Sequence, residues 1–235
     1  MFNKIAVVTA LSGTREKLHD PKIVFPNVDY FAFVDTPQSN IKVWQQKPLL
    51  HFSNDIKFSG RRNAKIYKIL PHLFLPHYDY HFWVDASHEL IMNPEEVITK
   101  YMLDSEIGVF KHTQRNCAYS ESIIINELGY DHKENVDRQV ESYRSQGFPD
   151  NYGLYELPVS IRKNTSATQQ FNLMWYEQIS RYSSRDQISF PYCLWKCGIV
   201  PKILPGGANG YNSSGTIGNN DIMPQTRNHV SSGPG

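Results

Sequence analysis

What this sequence has least of is net charge, cysteine and long apolar runs. Its 24 Lys and Arg stand against 23 Asp and Glu, a formal net charge of +1 at pH 7 over 235 residues. No whole-molecule field therefore holds a polyanion such as nucleic acid, although a local basic face stays open. No stretch approaches the roughly 18 consecutive apolar residues that a membrane-spanning helix needs. The apolar run within residues 1–10 meets Gly13 and charged residues at once, too soon for the core of a signal peptide. It reads as a first strand, and the expected location is cytoplasmic. The cysteines, Cys117, Cys193 and Cys197, are few and odd in number, which points away from a disulfide framework and towards a reducing compartment. Cys193 and Cys197 stand about one helical turn apart, and two thiols alone make a poor zinc site. They read as buried thiols.

What is there is an ordinary globular mixture, 40% hydrophobic and 20% charged, in a length that suits one domain. Residues 5–9, 30–34, 80–84, 107–110, 159–162 and 199–204 read as strands, rich in β-branched and aromatic side chains. Residues 60–70 read as a helix stopped by Pro71. Asn93 and Pro94 open another, with Glu95 and Glu96 in its first turn. Residues 120–128 and 132–146 read as helices ended by Gly129 and Gly147. A long helix covers 165–182 and a shorter one follows Asp186. Alternating strands and helices predict a Rossmann-like α/β domain with a mostly parallel sheet flanked by helices. Ligands of such sheets sit beyond the carboxyl ends of the strands. The expected layout is one catalytic domain over 1–205, with a nucleotide-binding half at 1–110 and an acceptor or sugar half at 111–205. Residues 206–235, rich in Gly, Ser and Asn, read as a flexible tail.

Four segments can carry chemistry. In Trp83-Val84-Asp85-Ala86-Ser87 a carboxylate ends an apolar strand, where a nucleoside diphosphate needs Mg²⁺ or Mn²⁺; the same Asp85 equally reads as the cap of a turn. On the helix around Arg61-Arg62-Asn63-Ala64-Lys65, the residues Arg61, Lys65 and Lys68 share a face. That face suits a diphosphate, or is simply solvated. Ser184-Arg185-Asp186-Gln187 can meet sugar hydroxyls or start a helix. Arg115-Asn116-Cys117-Ala118-Tyr119-Ser120-Glu121 is polar and reads as well as a plain helix start. Among nine histidines, His229 stands out as a late residue able to reach a metal.

The pieces fall in a recognisable order: Thr9-Ala10, Phe33-Val34-Asp35, Trp44 after a third strand, Arg62-x-x-Lys65, Pro76-His77-Tyr78-Asp79-Tyr80 and Trp83-Val84-Asp85. Lys111-His112, Gly153-Leu154-Tyr155-Glu156, Trp175-Tyr176-Glu177-Gln178-Ile179 and Ser184-Arg185-Asp186-Gln187 follow. This set resembles the TOD/MUCI-type glycosyltransferase-like domain over about residues 5–196. The resemblance implies a GT-A fold, a UDP- or GDP-sugar donor and a Mn²⁺ or Mg²⁺ ion. It implies Asp85 as the metal carboxylate, with Ser87 in the second acidic place and His229 as a late ligand. It further implies Thr9, Ala10 and Asp35 at the nucleoside, Arg62 and Lys65 at the phosphates, and Asp186 with Gln187 at the sugar or acceptor. If transfer inverts the anomeric centre, Asp186 or Glu156 serves as base.

The expected activity is a metal-dependent hexosyl- or pentosyltransferase acting on a hydroxyl of a glycan or lipid-linked saccharide, or on modified viral DNA. Two other classes stay open. One is a silent sugar- or nucleotide-binding module on the same scaffold, for which Ser87 is a suitable substitution. The other is a nucleotidyltransferase, for which residues 11–15 form a meagre phosphate loop.

Overall fold

The middle strands are made of residues that tolerate burial on both faces, as a sheet covered by helices on both sides requires. In the computed structural model, which describes residues 3–13, 17–88, 90 and 92–207, β1 (Ile5–Leu11) is buried almost throughout and β4 (Tyr80–Val84) entirely. With β2 (Val28–Val34), β3 (Gln45–Pro48), β5 (Ile107–Lys111), β6 (Tyr155–Lys163) and β7 (Lys202–Ile203) they form one sheet in the order β3-β2-β1-β4-β6-β5-β7. Pairs β1·β2, β1·β4, β2·β3 and β5·β7 are parallel. β6 runs antiparallel to both β4 and β5. The sheet is the mostly parallel α/β architecture flanked by helices that the sequence predicts, with one inner strand reversed.

That reversal matters because it brings the amino end of β6 to the same edge as the carboxyl ends of β1 and β4. The β5·β6 register also breaks: Val109 pairs with Ser160, but Phe110 pairs with Glu156. The slack lies around Pro158, which has no N–H for the ladder. Its carbonyl instead accepts from Asp85 N at 2.7 Å. Irregularities of this kind re-aim side chains next to functional clefts.

Helix α1 (Ser59–Ile69) stops at Leu70, and Pro71 opens the short α2 (Pro71–Phe74). α3 (Pro94–Tyr101) is capped by Asn93, whose side chain accepts from Glu95 N. α4 (Ala118–Glu127) and α5 (Lys133–Ser145) end at Gly129 (φ 61) and Gly147 (φ 77). Both glycines occupy the left-handed position where a Cβ is penalised. Thr165 starts α6 (Ser166–Arg181) with a reciprocal capping pair to Thr168. α7 (Asp186–Cys197) closes at Gly198. The largest buried cluster joins Trp175, Phe171 and Phe190 to the undersides of α1, α4, α5 and β6. Of the two cysteines expected to be buried, Cys193 is and Cys197 is only half-buried, and all three thiols are free.

Two local expectations fail. Trp44 precedes β3 rather than following it, since the third strand is Gln45–Pro48, polar and mostly exposed at the sheet edge. The last strand shrinks to Lys202–Ile203, because it too lies at an edge and needs no continuous apolar run.

Candidate active site

At the carboxyl edge of the sheet, β4 delivers Asp85 and the reversed β6 delivers Glu156. α1 presents Lys65 and Lys68 from one face, and the start of α7 presents Asp186. Together with Ala10, Ser87, His88, His112, Arg185 and Gln187 they line an open cleft of about 320 Å³, enough for a small ligand.

The two aspartates differ sharply. Asp85 is anchored by its backbone, its N–H to Pro158 O and its carbonyl accepting from His88 N. Its carboxylate is 41% exposed. Oδ1 accepts from Trp83 Nε1 at 2.5 Å and lies 3.8 Å from Lys68 Nζ. Asp186 is only 8% exposed and its Oδ2 takes both Lys65 Nζ at 2.5 Å and Lys68 Nζ at 2.7 Å. Burial pushes the Asp186 carboxyl upward, but the two ammoniums outweigh it and hold the group far below the usual carboxylate range. Burial likewise pulls the Lys65 ammonium down to about 7, with Asp186 resisting and Lys68 assisting. Lys68 is shared between Asp186 and Asp85, so two lysines and two aspartates face the cleft as one charge cluster.

The segment carrying Asp186 is held from behind. Asp131 Oδ2 accepts from Ser183 Oγ (2.9 Å), Ser184 N (2.7 Å) and Ser184 Oγ (2.6 Å). Arg62 donates to Ile179 O and Tyr182 O, each at 3.0 Å, and to Asp55. The expectation that Arg62 faces the phosphates is therefore corrected: its guanidinium ties α1 to the end of α6 and does not line the cleft. Three positions from Lys65, Arg62 neighbours it on α1, but its guanidinium is taken up by Asp55 and the end of α6.

Other expected residues divide as follows. Asp186 sits in the cleft wall, but so low a proton affinity makes it a poor base, which argues against that role. Glu156 is buried with Thr113 Oγ1 donating to Oε1 at 3.2 Å. Gln187 lines the cleft and donates to Tyr155 O at 3.4 Å. Ser87 Oγ is 2.9 Å from His88 Nδ1. Thr9 is buried and faces not the cleft but a neighbouring cavity of about 20 Å³ beside Tyr30 and Trp44, room for one water and no base. Asp35, past the end of β2, accepts from Gly13 N and lies 2.9 Å from His51 Nε2, outside the cleft lining. His229 lies outside the described residues.

Sequence reasoning missed His88, and named Lys68, Arg185 and His112 only as members of a basic face or of a segment, without a role of their own. Lys68 was signalled by its spacing from Lys65. His112 carried no local signal: it enters the cleft through a turn in which its Nδ1 accepts from Gln114 N and Arg115 N. The Arg115 segment proves to be an anchored helix start, with Arg115 Nε donating to the buried Glu121 at 2.6 Å.

Residues 3–203 match the TOD1/MUCI70, glycosyltransferase-like domain family. The probable hexosyltransferase MUCI70 of Arabidopsis thaliana is 27% identical over 142 residues, 56% of this chain and 24% of that protein. The chain thus spans about a quarter of that relative's length. It is also similar to the apo structure of the WbbM bifunctional glycosyltransferase (TM-score 0.47, 10% identity, 91% of this chain and 41% of that one). A second solved structure is that of the mannosyltransferase Ktr4p from S. cerevisiae (TM-score 0.45, 11% identity, 82% and 65%). These structural likenesses are too loose to argue from. The sequence match runs over most of the chain, which therefore belongs to the TOD1/MUCI70 glycosyltransferase-like domain family.

Proposed function

We propose that the chain transfers a hexose from a UDP- or GDP-linked donor to a hydroxyl of a glycan or lipid-linked saccharide. The observation that carries this reading is the pair of lysines, Lys65 and Lys68, held by Asp186 across the cleft from the half-exposed Asp85. Fixed cations aimed where a diphosphate leaves lower the barrier because they need no reorganisation as charge develops. The name of the Arabidopsis relative supports a hexose. The nucleoside would lie toward Gly13 and Asp35, over the ends of β1 and β2.

Among the described residues no group of three or more His, Cys, Asp or Glu can hold a metal, and the carboxylate there that suits a divalent ion is Asp85. Asp85, with the donor's phosphate oxygens and water, suits Mg²⁺ or Mn²⁺, which commonly bind through one or two carboxylates plus substrate phosphates. Ser87 would add at most a hydroxyl. The ion would neutralise charge on the departing diphosphate.

The acceptor oxygen bonds to the anomeric carbon as the bond from that carbon to the diphosphate breaks. For inversion, the acceptor proton passes to Glu156, the carboxylate left in the cleft wall once Asp186 is committed to two lysines. Glu156→Gln should then lower turnover by about 10²–10⁴ with nucleotide binding intact. Unchanged turnover would remove Glu156 from the reaction.

Calorimetry of UDP and GDP, with and without Mn²⁺, on the native protein and on Asp85→Ala tests the donor site. Metal-dependent binding of one nucleotide, lost in the variant, is expected. No binding of either by folded protein would sink the proposal. Binding without transfer to any acceptor would favour the silent module, the second reading that Ser87 in place of a carboxylate supports.

A further inference from the structure

The cations on α1 continue past the lysines. Arg61, one turn before Lys65, donates from Nη1 to Tyr130 O and packs over the Phe58 ring at 5.1 Å. Arg185, next to Asp186, lies over the ring of the same Tyr130 at 5.1 Å. It donates from Nη2 to Gln187 Oε1 at 3.1 Å and lines the cleft. Its Nε is buried with no hydrogen-bond partner among the described residues. Two guanidiniums thus converge on one residue, one at its carbonyl and one at its ring. The ion pairs of this region go to Arg62, Lys65 and Lys68 instead.

Guanidiniums brought this close disfavour each other. Burial first, and then Arg185, lowers Arg61 to about 10. Asp131, the nearest carboxylate in the chain to Tyr130, is spent on Ser183 and Ser184. Asp131 and Asp186 partly offset the repulsion, but among the described residues no carboxylate pairs with Arg61 or Arg185. Arginine forks match planar, two-oxygen anions, whereas lysines act as point charges. The lysines line the cleft beside Asp85; of the arginines, Arg185 lines it and is joined through Tyr130 to Arg61, which stands outside the lining.

We propose that Arg61, Arg185 and Tyr130 form a subsite for the carboxylate of an acidic sugar, a uronate carried by the acceptor glycan or by the donor. The ligand is called a sugar on the strength of the transferase reading above; the anion site itself stands on the two arginines.

The test uses the full chain and defined probes. A hexasaccharide with alternating uronates is titrated against the same hexasaccharide after reduction of its carboxyls to alcohols. UDP-glucuronate is titrated against UDP-glucose with Mn²⁺ present. Each pair is measured on native protein, Arg185→Gln and Arg61→Gln, with UDP alone and a thermal melt as controls of donor site and folding. The acidic member of one pair should bind at least about 10-fold tighter than its neutral partner, as one charge-assisted contact allows. That preference should fall to threefold or less in either variant, while UDP affinity stays within about twofold in Arg61→Gln, whose side chain lies outside the cleft lining. Preference in the first pair assigns the carboxylate to the acceptor, and in the second pair to the donor. Equal binding of acidic and neutral members by native protein in both pairs overturns the subsite. So does a preference that survives both substitutions, or an arginine-dependent preference found only for a phosphorylated hexasaccharide. Failure of UDP to bind, with the acidic preference retained, would instead fault the donor reading and leave the subsite standing.

Discussion

Two walls of one cleft carry an aspartate each, and the same side chain does opposite work on them. On the β4 wall Asp85 ends a buried strand, keeps its carboxylate 41% exposed and, among the described residues, meets an indole N–H and a lysine at 3.8 Å. On the α7 wall Asp186 is 8% exposed and closes on two ammoniums. A carboxylate left in water beside a phosphate site is available to a ligand. A carboxylate already saturated by buried cations is structural, and it orients those cations for the ligand. Residue type did not distinguish them; solvent and partners did.

The sharpest way to break the comparison is to neutralise each aspartate. Asp186→Asn leaves two buried ammoniums without their counter-ion and should cost about 3–5 kcal/mol of stability in urea denaturation. Asp85→Asn should leave stability within about 0.5 kcal/mol yet weaken Mn²⁺-dependent nucleotide binding by about 30-fold, near 2 kcal/mol, in calorimetry. Equal stability losses would erase the distinction. Next in size is Arg62, which stands behind the α7 wall. Arg62→Gln should cost about 1–3 kcal/mol, since it frees buried carbonyls of Ile179 and Tyr182, with nucleotide affinity unchanged. A loss of affinity at full stability would return Arg62 to the phosphates.

The smallest effect is a proton. Lys65 sits at about 7 in the folded chain and near 10.4 when unfolded. Between those values the unfolded state binds more protons, so stability rises with pH. Native protein should therefore gain up to about 1 kcal/mol from pH 7 to 8 relative to Lys65→Met. A diphosphate would restore the ammonium, so UDP binding at pH 8 should take up as much as one proton. Calorimetry in two buffers of unlike ionisation enthalpy measures it, and proton release would contradict the charge arrangement.

Much of the frame was legible because its signals are local. Tyr80–Val84 is β4 to the residue, Asn93 and Pro94 open α3, and Gly129 and Gly147 end α4 and α5 through left-handed backbone. The cleft was legible in part: Asp85 from its place at a strand end, Lys65 from helix spacing. Trp44 and β3 were misplaced because an exposed edge strand such as Gln45–Pro48 shows no apolar pattern. Arg62 was assigned to the phosphates because its i, i+3 spacing from Lys65 is right, while its partners at the end of α6 come from a distant segment.

The sequence by itself determined the class of fold, the stops and starts of most elements and the existence of acidic and basic groups at ligand-facing positions. These depend on backbone propensity and on the periods of burial, which act over a few residues. Only the tertiary structure decided that β6 runs backwards, that Asp186 spends its charge on Lys65 and Lys68, and that Arg61 and Arg185 meet at Tyr130. Those are contacts between segments more than 50 residues apart in several cases, such as Lys65 with Asp186, 121 positions away. Their energies depend on burial and on which charges share a low-dielectric space, which no local pattern encodes.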